Sequence, residues 1–213
     1  MMNWSEIDNK IVTVTANDFT TLLSDLAQHF DANEGFSVAT LNLDHVVKFR
    51  NDSAFRKAYA EHSHVTADGN PIVWLSRLAG QSDVSLVPGS ELIEPLLKLA
   101  AEKKVPVAFF GSSDATMEAV IRKTKQKFPN LEVALAHSPP MGFDPDGQQA
   151  AHAIEMLHQS GARVVFLALG APKQEKFAAR AQKDLKHVGF LSIGAGLDFI
   201  AGSCVSAFTS DGI

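Results

Sequence analysis

Short apolar runs alternate along this chain with longer segments whose apolar residues recur at helical spacing. The runs that predict strands cover residues 37–43, 63–67, 105–110, 131–136, 163–169 and 188–193. Helical patterns lie between them, at 44–61, from Pro71 onward, and at 90–104, 114–128, 147–159 and 172–185. Strands that alternate with helices require crossover connections, which form a parallel sheet covered on both faces. The pattern therefore predicts an α/β fold with a parallel, Rossmann-like sheet.

The first part of the chain predicts a small strand-helix extension before this sheet. A short strand is expected at Ile11–Val14, and Asn17 or Asp18 is suited to cap the helix that follows. The helix has an apolar stripe made of Phe19, Leu22, Leu23, Leu26 and Phe30. Because no repeat or linker interrupts the chain, residues 1–213 are expected to form a single domain.

Composition narrows the classes of protein. A hydrophobic fraction of 46% is ordinary for a globular protein, and the net charge of −5 argues against a nucleic-acid partner. The single cysteine, Cys204, cannot form an internal disulfide, which fits a reducing compartment. The chain shows neither a signal peptide nor an apolar run near the roughly 20 residues that span a bilayer, so a cytoplasmic location is expected.

Polar and glycine residues follow nearly every predicted strand. Ligands of such sheets bind beyond the carboxyl ends of the strands, so these residues predict the rim of a site. They are Thr40 and Asn42, Asp68, Gly111–Asp114, Pro139–Pro140, Gly170–Glu175 and Gly194–Asp198. Thr40 and Asn42 are two positions apart and therefore point to one face of their strand.

The block Gly170–Glu175 joins a buried strand to a helix through a glycine turn. Pro172 is expected in the first turn of that helix, where its missing N–H costs nothing. Unpaired backbone N–H groups and the positive end of the helix dipole are then expected to meet Lys173 and Gln174. This arrangement suits a diphosphate or a sugar hydroxyl.

Asp68 has two interpretations. A partly desolvated carboxylate at the end of a strand can act as a general base toward a hydroxyl nucleophile. The surrounding Asp-Gly-Asn-Pro segment is equally suited to a turn that caps a helix. Thr40 and Asn42 likewise could bind a sugar or base, or could only satisfy structural partners within the fold.

Other chemistries find little support in the sequence. Asp144 and Asp146 have the spacing of a metal-binding pair, but Pro-Asp-Gly is also a turn signature. The histidines form no zinc pattern, and Gly194-Ala195-Gly196 begins a dinucleotide motif that does not continue. Walker A and Gly-x-Ser-x-Gly sequences are missing, which disfavours an ATPase and a hydrolase. We therefore expect no metal and no cofactor.

Several ordered blocks give the chain a resemblance to a known family. They include Thr40-Leu41-Asn42, Thr66-Ala67-Asp68-Gly69, Gly89–Leu92, Pro139-Pro140, Gly170–Glu175 and Gly194–Gly202. In this order they resemble the WecG/TagA/CpsF family of bacterial glycosyltransferases (glycosyltransferase family 26), over about residues 7–202.

The resemblance implies an inverting transferase that needs no metal-binding acidic pair. Such an enzyme moves a sugar, of the N-acetylmannosamine type or a hexose, from a UDP-sugar to a polyprenyl-diphosphate-linked saccharide in cell-surface polysaccharide biosynthesis. Asp68 would be the general base, and Thr40, Asn42 and Gln174 would line the pocket. The other residues expected to contact substrate are Gly111, Gly170, Lys173, Gly194 and Asp198. Peripheral contact with the inner face of the cell membrane would suit the lipid-linked acceptor.

Two departures from the family pattern bear on activity. Leu86 occupies the position of a pocket arginine, and Ser206-Ala207-Phe208 replaces an Arg-Ala-Pro segment that precedes a basic C-terminal appendage. A departing diphosphate needs compensating charge, so slow turnover is expected unless another subunit supplies cations. The alternative function is a catalytically impaired UDP-sugar-binding subunit of a polysaccharide assembly complex. An apolar surface left bare by the missing appendage would favour a homo-oligomer.

Overall fold

The computed structural model describes residues 2–202, and its first element is an antiparallel hairpin of β1 (Ser5–Ile7) and β2 (Lys10–Val12). The turn between them contains Asp8 and Asn9, whose φ angles of 51° and 62° lie in the left-handed region that these residue types tolerate. The predicted strand at Ile11–Val14 is therefore confirmed in part. Its hairpin partner was not predicted, because Ser5–Ile7 is too short to show an apolar alternation.

The six strands of the main sheet are all parallel, as the sequence predicted. In chain order they are β3 (Ser37–Leu41), β4 (His64–Ala67), β5 (Val107–Gly111), β6 (Val133–His137), β7 (Val164–Ala168) and β8 (Gly189–Ser192). Across the sheet their order is β4-β3-β8-β7-β5-β6. Each predicted strand is present, with its ends shifted by a few residues.

Helices connect the strands. They are α1 (Phe19–Ala32), α2 (Leu43–Phe49), α3 (Ser53–Ala60), α4 (Asn70–Leu78), α5 (Gly89–Lys103), α6 (Asp114–Lys127), α7 (Gln148–Ser160), α8 (Lys173–Asp184) and α9 (Gly196–Ala201). Side-chain caps start several of them, and in α1 the Asp18 carboxylate accepts a hydrogen bond from the Thr21 N–H at 2.9 Å. The short helix α9 was not predicted, because so few residues show no periodicity.

The single helix predicted over 44–61 is wrong, because the structure has two helices there. The chain turns at Arg50–Asp52, and the Asp52 side chain accepts a hydrogen bond from the Phe55 N–H at 2.8 Å. That bond caps a new helix, α3. The cap sequence Asp52-Ser53 was the available signal, and the continuous apolar periodicity obscured it.

Helices cover both faces of the sheet, as predicted. The core of one face combines α1, α5, α6 and α9 with alternate strand residues such as Val38 and Phe109. The core of the other face combines α7 and α8 with the residues between them, such as Ala108 and Phe190. The chain thus leaves β5 through a helix on one face and leaves β7 through a helix on the other. This reversal opens a crevice at the carboxyl ends of β5 and β7.

Candidate functional site

Asp68 lies directly beyond β4, at the carboxyl edge of the sheet. Its N–H donates to the Leu41 carbonyl at 2.8 Å, which extends the pairing between β3 and β4 by one residue. Thr40 is paired with Thr66, two positions before Asp68, so the Thr40 and Asp68 side chains lie on the same face. The structure thus brings together two of the predicted site residues.

The environment of Asp68 makes its carboxylate a stronger base. Burial raises the pKa of Asp68, a hydrogen bond from Thr40 opposes the rise, and the negative charge of Glu91 adds to it. Glu91 belongs to the first turn of α5, which faces the same edge of the sheet. Asp68 is half-buried, so a ligand can still reach it.

A buried aromatic and polar layer lies beneath Asp68, and the sequence analysis did not identify it. Tyr59 of α3 is fully buried, and its hydroxyl lies 3.3 Å from Nδ1 of His45. Burial raises the pKa of Tyr59 well above its ordinary value, and the charges of Glu175 and Asp68 add to this rise. Burial lowers the pKa of His45 to about 4. The only sequence signal for this layer was the helical spacing of apolar residues.

Asn42 is the N-cap of α2. Its Oδ1 accepts a hydrogen bond from the His45 N–H at 3.0 Å, and the residue is half-buried. The side-chain oxygen of Asn42 therefore has a structural partner, as one of the two interpretations expected. Its amide nitrogen is the group that can bind a ligand. Its contact with substrate stays a prediction.

A second group of candidates lies at the crevice beyond β5 and β7. A cavity of about 540 Å³ there is lined by apolar residues such as Phe143 and by polar ones. The polar residues are Ser112, Ser113, Asp114, Ser138 and Lys173. Lys173 is half-buried and is the first residue of α8. The Ser112 and Ser138 hydroxyls donate their protons within the protein, to Asp198 and to the Ser112 carbonyl. The cavity therefore offers an anionic ligand the Lys173 charge and the N-terminus of α8.

Two expectations about the start of α8 need correction. Pro172 is the residue before the helix, not a member of its first turn. The Gln174 N–H is not unpaired, because it donates to the Gly170 carbonyl at 3.2 Å. The glycine turn is present, since Gly170 has a φ of 72°, a value that favours glycine. The Gln174 N–H, which was expected to be free, is therefore hydrogen-bonded within the tight turn itself.

Gln174 lies inside the protein and has protein partners at both ends of its amide. The residue is 2% exposed. Its Oε1 accepts from the Gly194 N–H at 3.0 Å, and its Nε2 donates to Oε1 of Glu175 at 2.8 Å. Gln174 thus connects α8 to the turn that follows β8. Direct contact between its side chain and substrate stays a prediction.

Gly111 and Asp198 hold the turn after β5 in place. A Cβ on Gly111 would collide with the Ala168 carbonyl of β7, and the φ of Gly111 is 123°, so this position requires glycine. Oδ1 of Asp198 accepts from the Ser112 and Thr116 hydroxyls, each at 3.1 Å. These bonds attach α9 to the start of α6, next to the cavity.

The predicted residues occupy one edge of the sheet in two groups. Asp68, Thr40 and Asn42 lie at β3 and β4, while Gly111, Gly170, Lys173 and Asp198 lie around β5 and β7. Gly194 and Gln174 lie between the groups, at the end of β8. Asp68 and Lys173 follow strands that are three strand spacings apart, roughly 14 Å at about 4.8 Å per spacing. An extended nucleotide sugar can bridge such a distance.

The acidic pair at Asp144 and Asp146 forms a turn. Oδ1 of Asp144 accepts from the Asp146 N–H at 3.0 Å, as the turn interpretation expects. Across residues 2–202, no group of three or more histidine, cysteine, aspartate or glutamate side chains is arranged to hold a metal ion.

Leu86 lies beside the catalytic candidate. It forms a parallel bridge with Ala67, the residue before Asp68, and its side chain is 41% exposed. An apolar side chain therefore borders the rim at the position where the family pattern has arginine. Cys204 and the segment Ser206–Phe208 lie outside the described residues.

Comparison with known proteins identifies the family. The sequence profile described as "Glycosyl transferase WecG/TagA/CpsF family" matches residues 8–207. A Bacillus spizizenii protein named N-acetylglucosaminyldiphosphoundecaprenol N-acetyl-beta-D-mannosaminyltransferase is 26% identical over 188 residues, 88% of this chain and 71% of the relative. Relatives of the same name from Bacillus subtilis (93% of this chain, 75% of the relative) and Staphylococcus aureus (87% and 73%) are each 24% identical. The chain belongs to the WecG/TagA/CpsF family and is a glycosyltransferase.

None of the helices described within residues 2–202 combines the length and the apolar character needed to cross a bilayer. The longest of those named above is α5, with 15 residues.

Proposed function

We propose that this glycosyltransferase moves a sugar from a UDP-sugar to a polyprenyl-diphosphate-linked saccharide, with inversion, in cell-surface polysaccharide biosynthesis. The sugar is of the N-acetylmannosamine type, with another hexose as the alternative. The names of the relatives support both the sugar and the acceptor, because they describe mannosaminyl transfer to N-acetylglucosaminyldiphosphoundecaprenol.

The environment of Asp68 is the observation that carries the proposal. Burial raises the pKa of the Asp68 carboxyl while leaving it within reach of a ligand, which is what a general base for a sugar hydroxyl requires. In the proposed step, Asp68 takes the proton of the acceptor hydroxyl. That oxygen forms a bond to the anomeric carbon as the bond to the UDP oxygen breaks, and UDP leaves with the electron pair.

The cavity beyond β5 and β7 is the proposed site of the donor diphosphate. Lys173 supplies a positive charge there, and the N-terminus of α8 supplies the positive end of a helix dipole. Charge developing on the leaving diphosphate is stabilised most by groups that are already in place before the reaction. The wall of the cavity is fixed in advance at Ser112, whose carbonyl accepts from the Ser138 hydroxyl at 2.7 Å and whose N–H donates to the Ala168 carbonyl at 2.9 Å.

The acceptor defines where the enzyme works. A polyprenyl-diphosphate saccharide is anchored in a membrane, so its hydroxyl is available only at the membrane surface. We therefore propose that the enzyme binds peripherally at the cytoplasmic face of the membrane, with the carboxyl edge of the sheet toward the lipid headgroups. Sedimentation with vesicles that contain the acceptor lipid tests the membrane binding.

The proposed reaction is tested by direct product analysis. Purified protein is incubated with UDP-N-acetylmannosamine and a synthetic lipid-diphosphate N-acetylglucosamine, and UDP release and disaccharide formation are followed together. We expect both products in equal amounts, and nuclear magnetic resonance of the disaccharide should show the anomeric configuration opposite to that of the donor. Retained configuration would refute inversion, and failure with every UDP-sugar tested would refute the donor class.

The second candidate function is a UDP-sugar-binding subunit with little catalytic power of its own. Leu86 favours it, because an exposed apolar residue pairs with Ala67, the residue before Asp68, where the family pattern has a cation. Under this alternative, UDP-sugar binds, and the wild type and Asp68→Asn release UDP at the same background rate.

A further inference from the structure

Glu175 is a buried acid that the proposed mechanism does not use. It lies in the first turn of α8 and is 0% exposed. Its Oε1 accepts from Nε2 of Gln174 at 2.8 Å, whereas its Oε2 is buried without a hydrogen-bond partner. A fully buried carboxyl with one unpaired oxygen is costly to retain, so its place in the structure calls for an explanation.

Glu175 decides which way the Gln174 amide points. Oε1 of Glu175 is an acceptor, so it must face the NH₂ end of Gln174. The oxygen of the same amide then faces the Gly194 N–H at 3.0 Å. An amide rotated by half a turn would set two donors against each other at Gly194 and two acceptors at Glu175. Glu175 therefore favours the hydrogen bond between the Gly194 N–H and Oε1 of Gln174, although Glu175 takes no part in that bond.

That hydrogen bond holds the centre of the rim. Gly194 follows β8, which lies between β3 and β7, and its φ of 54° belongs to the left-handed region. The end of β8 also approaches Thr40, because a Cβ built on Gly89 would lie 3.2 Å from Thr40 Cγ2 and 3.3 Å from the Ser192 carbonyl oxygen. A shift of the turn at Gly194 would therefore displace residues near Thr40 and Asp68 as well as residues at the cavity.

We propose that Glu175 is a positioning residue for sugar transfer, which acts through Gln174 to hold the Gly194 turn between the Asp68 side of the rim and the Lys173 cavity. The proposal rests on the proposed function for its catalytic consequence. Its structural part, the control of the Gly194 N–H by Glu175, can be measured without turnover.

Glu175, Gln174 and Gly194 form a series of hydrogen bonds that we call the relay. The surroundings of Glu175 make the relay depend on pH. The ionisable groups that interact with Glu175 are Tyr59 of α3 and Lys48 of α2, and Asp68 interacts with Tyr59 in turn. Burial raises the pKa of Glu175 to about 7, against the lowering effects of Gln174, its own backbone N–H and Lys48. Once ionised, the unpaired Oε2 must attract partners, which disturbs the Gln174 amide. We therefore expect kcat to fall as the pH rises through this pKa.

The experiment compares Glu175→Gln, Glu175→Leu and the control Gln182→Leu. Glutamine keeps an oxygen for Gln174 and cannot ionise, whereas leucine ends the relay. Gln182 also lies on α8, but its Nε2 donates to the Val188 carbonyl at 3.2 Å, away from the rim. Measurements are kcat and KM for UDP-N-acetylmannosamine from pH 5.5 to 9, the melting temperature, and the exchange rate of the Gly194 amide proton.

For Glu175→Leu we expect about a tenfold loss of kcat, a donor KM within about threefold, and at least tenfold faster exchange at Gly194. For Glu175→Gln we expect near-wild-type kcat at pH 6.5 and no fall in kcat near pH 7. Gln182→Leu should lower the melting temperature without changing kcat or Gly194 exchange.

Two results would overturn the proposal: Gly194 exchange in Glu175→Leu equal to that in Gln182→Leu, or a fall in kcat near pH 7 that persists in Glu175→Gln. If Glu175→Leu does not fold, Gly194 exchange and the pH profile of Glu175→Gln decide. If the wild type transfers no sugar, but Gly194 exchange is still faster in Glu175→Leu than in the wild type, the proposed function is refuted and the positioning of Gly194 by Glu175 is retained.

Discussion

The two ends of the candidate rim differ in burial and in charge. At β3 and β4, Asp68 is half-buried above a closed layer that contains Tyr59 and His45, and the neighbouring Leu86 is apolar. At β5 and β7, the lining of an open cavity of about 540 Å³ includes serine residues, Asp114, apolar residues and Lys173. At one end burial raises the pKa of the Asp68 carboxyl, and at the other a lysine and a helix N-terminus adjoin an open cavity.

In the proposed reaction, this difference assigns proton transfer to one end of the sheet edge and diphosphate binding to the other. A base benefits from desolvation, which raises its proton affinity, whereas a diphosphate benefits from donors that remain accessible to a charged ligand. The buried layer at β3 and β4 exists because α3 packs its aromatic residues against the sheet. The open cavity exists because the helices leave β5 and β7 on opposite faces. Substitutions at the two ends should therefore alter different kinetic constants.

Asp68→Asn should have the largest effect. The asparagine keeps the shape of the side chain but cannot accept the proton, so we expect kcat to fall by about 10²- to 10⁴-fold with little change in the affinity for UDP-sugar. Steady-state kinetics and calorimetric titration with the donor measure both. Asp83→Asn is the control, because Asp83 bonds Asn17 on the surface. An unchanged kcat in Asp68→Asn would show that Asp68 is not the general base.

Lys173→Gln should raise the donor KM, which Asp68→Asn leaves nearly unchanged, and should lower kcat by less than Asp68→Asn does. Loss of a charge-assisted hydrogen bond at this half-buried position should raise the donor KM about tenfold. Lys176→Gln is the matched control, since Lys176 lies on the same helix and pairs with Asp52 at 2.8 Å. The dependence of the donor KM on salt should weaken only in Lys173→Gln. Equal KM values in the two variants would place the diphosphate elsewhere.

Leu86→Arg should make the β3–β4 end resemble the other end. The side chain is 41% exposed, so arginine can be accommodated without burying its charge. We expect kcat/KM for the donor to rise about threefold, as is typical of one exposed ionic interaction. Leu86→Gln, with a polar side chain but no charge, serves as the control. A gain of the same size in both variants would show that charge is not what this position lacks.

Glu91→Gln should have the smallest effect, a change in pH dependence. Because the charge of Glu91 contributes to the raised pKa of Asp68, its removal should lower that pKa. The acid limb of the kcat/KM profile, where activity is lost as Asp68 becomes protonated, should then move to lower pH. Glu94→Gln on the same helix is the control, because Glu94 pairs with Lys127. If the wild type, Glu91→Gln and Glu94→Gln have the same acid limb, protonation of Asp68 is not its cause.

The sequence by itself determined the parallel sheet and most of its helices. Buried strands such as Val164–Ala168 are continuous apolar runs, and helices such as α6 have a cap and a periodic apolar face that local chemistry specifies. Asp68, Lys173 and the glycine turns could be placed at one edge because parallel strands all end on the same side. The WecG/TagA/CpsF resemblance was likewise visible in the order of these blocks, and the family match confirms it.

Only the tertiary structure decided how these residues are used. Tyr59 and Asp68 are brought close by the packing of α3 beneath the rim, and no spacing in the sequence encodes a contact between those two segments. The burial of Gln174 and the orientation of its amide depend on Gly194, 20 positions away along the chain. Desolvation and hydrogen-bond direction are properties of what surrounds a group in space. A sequence can therefore specify which side chains reach the edge of the sheet, whereas their pKa values and partners follow from packing.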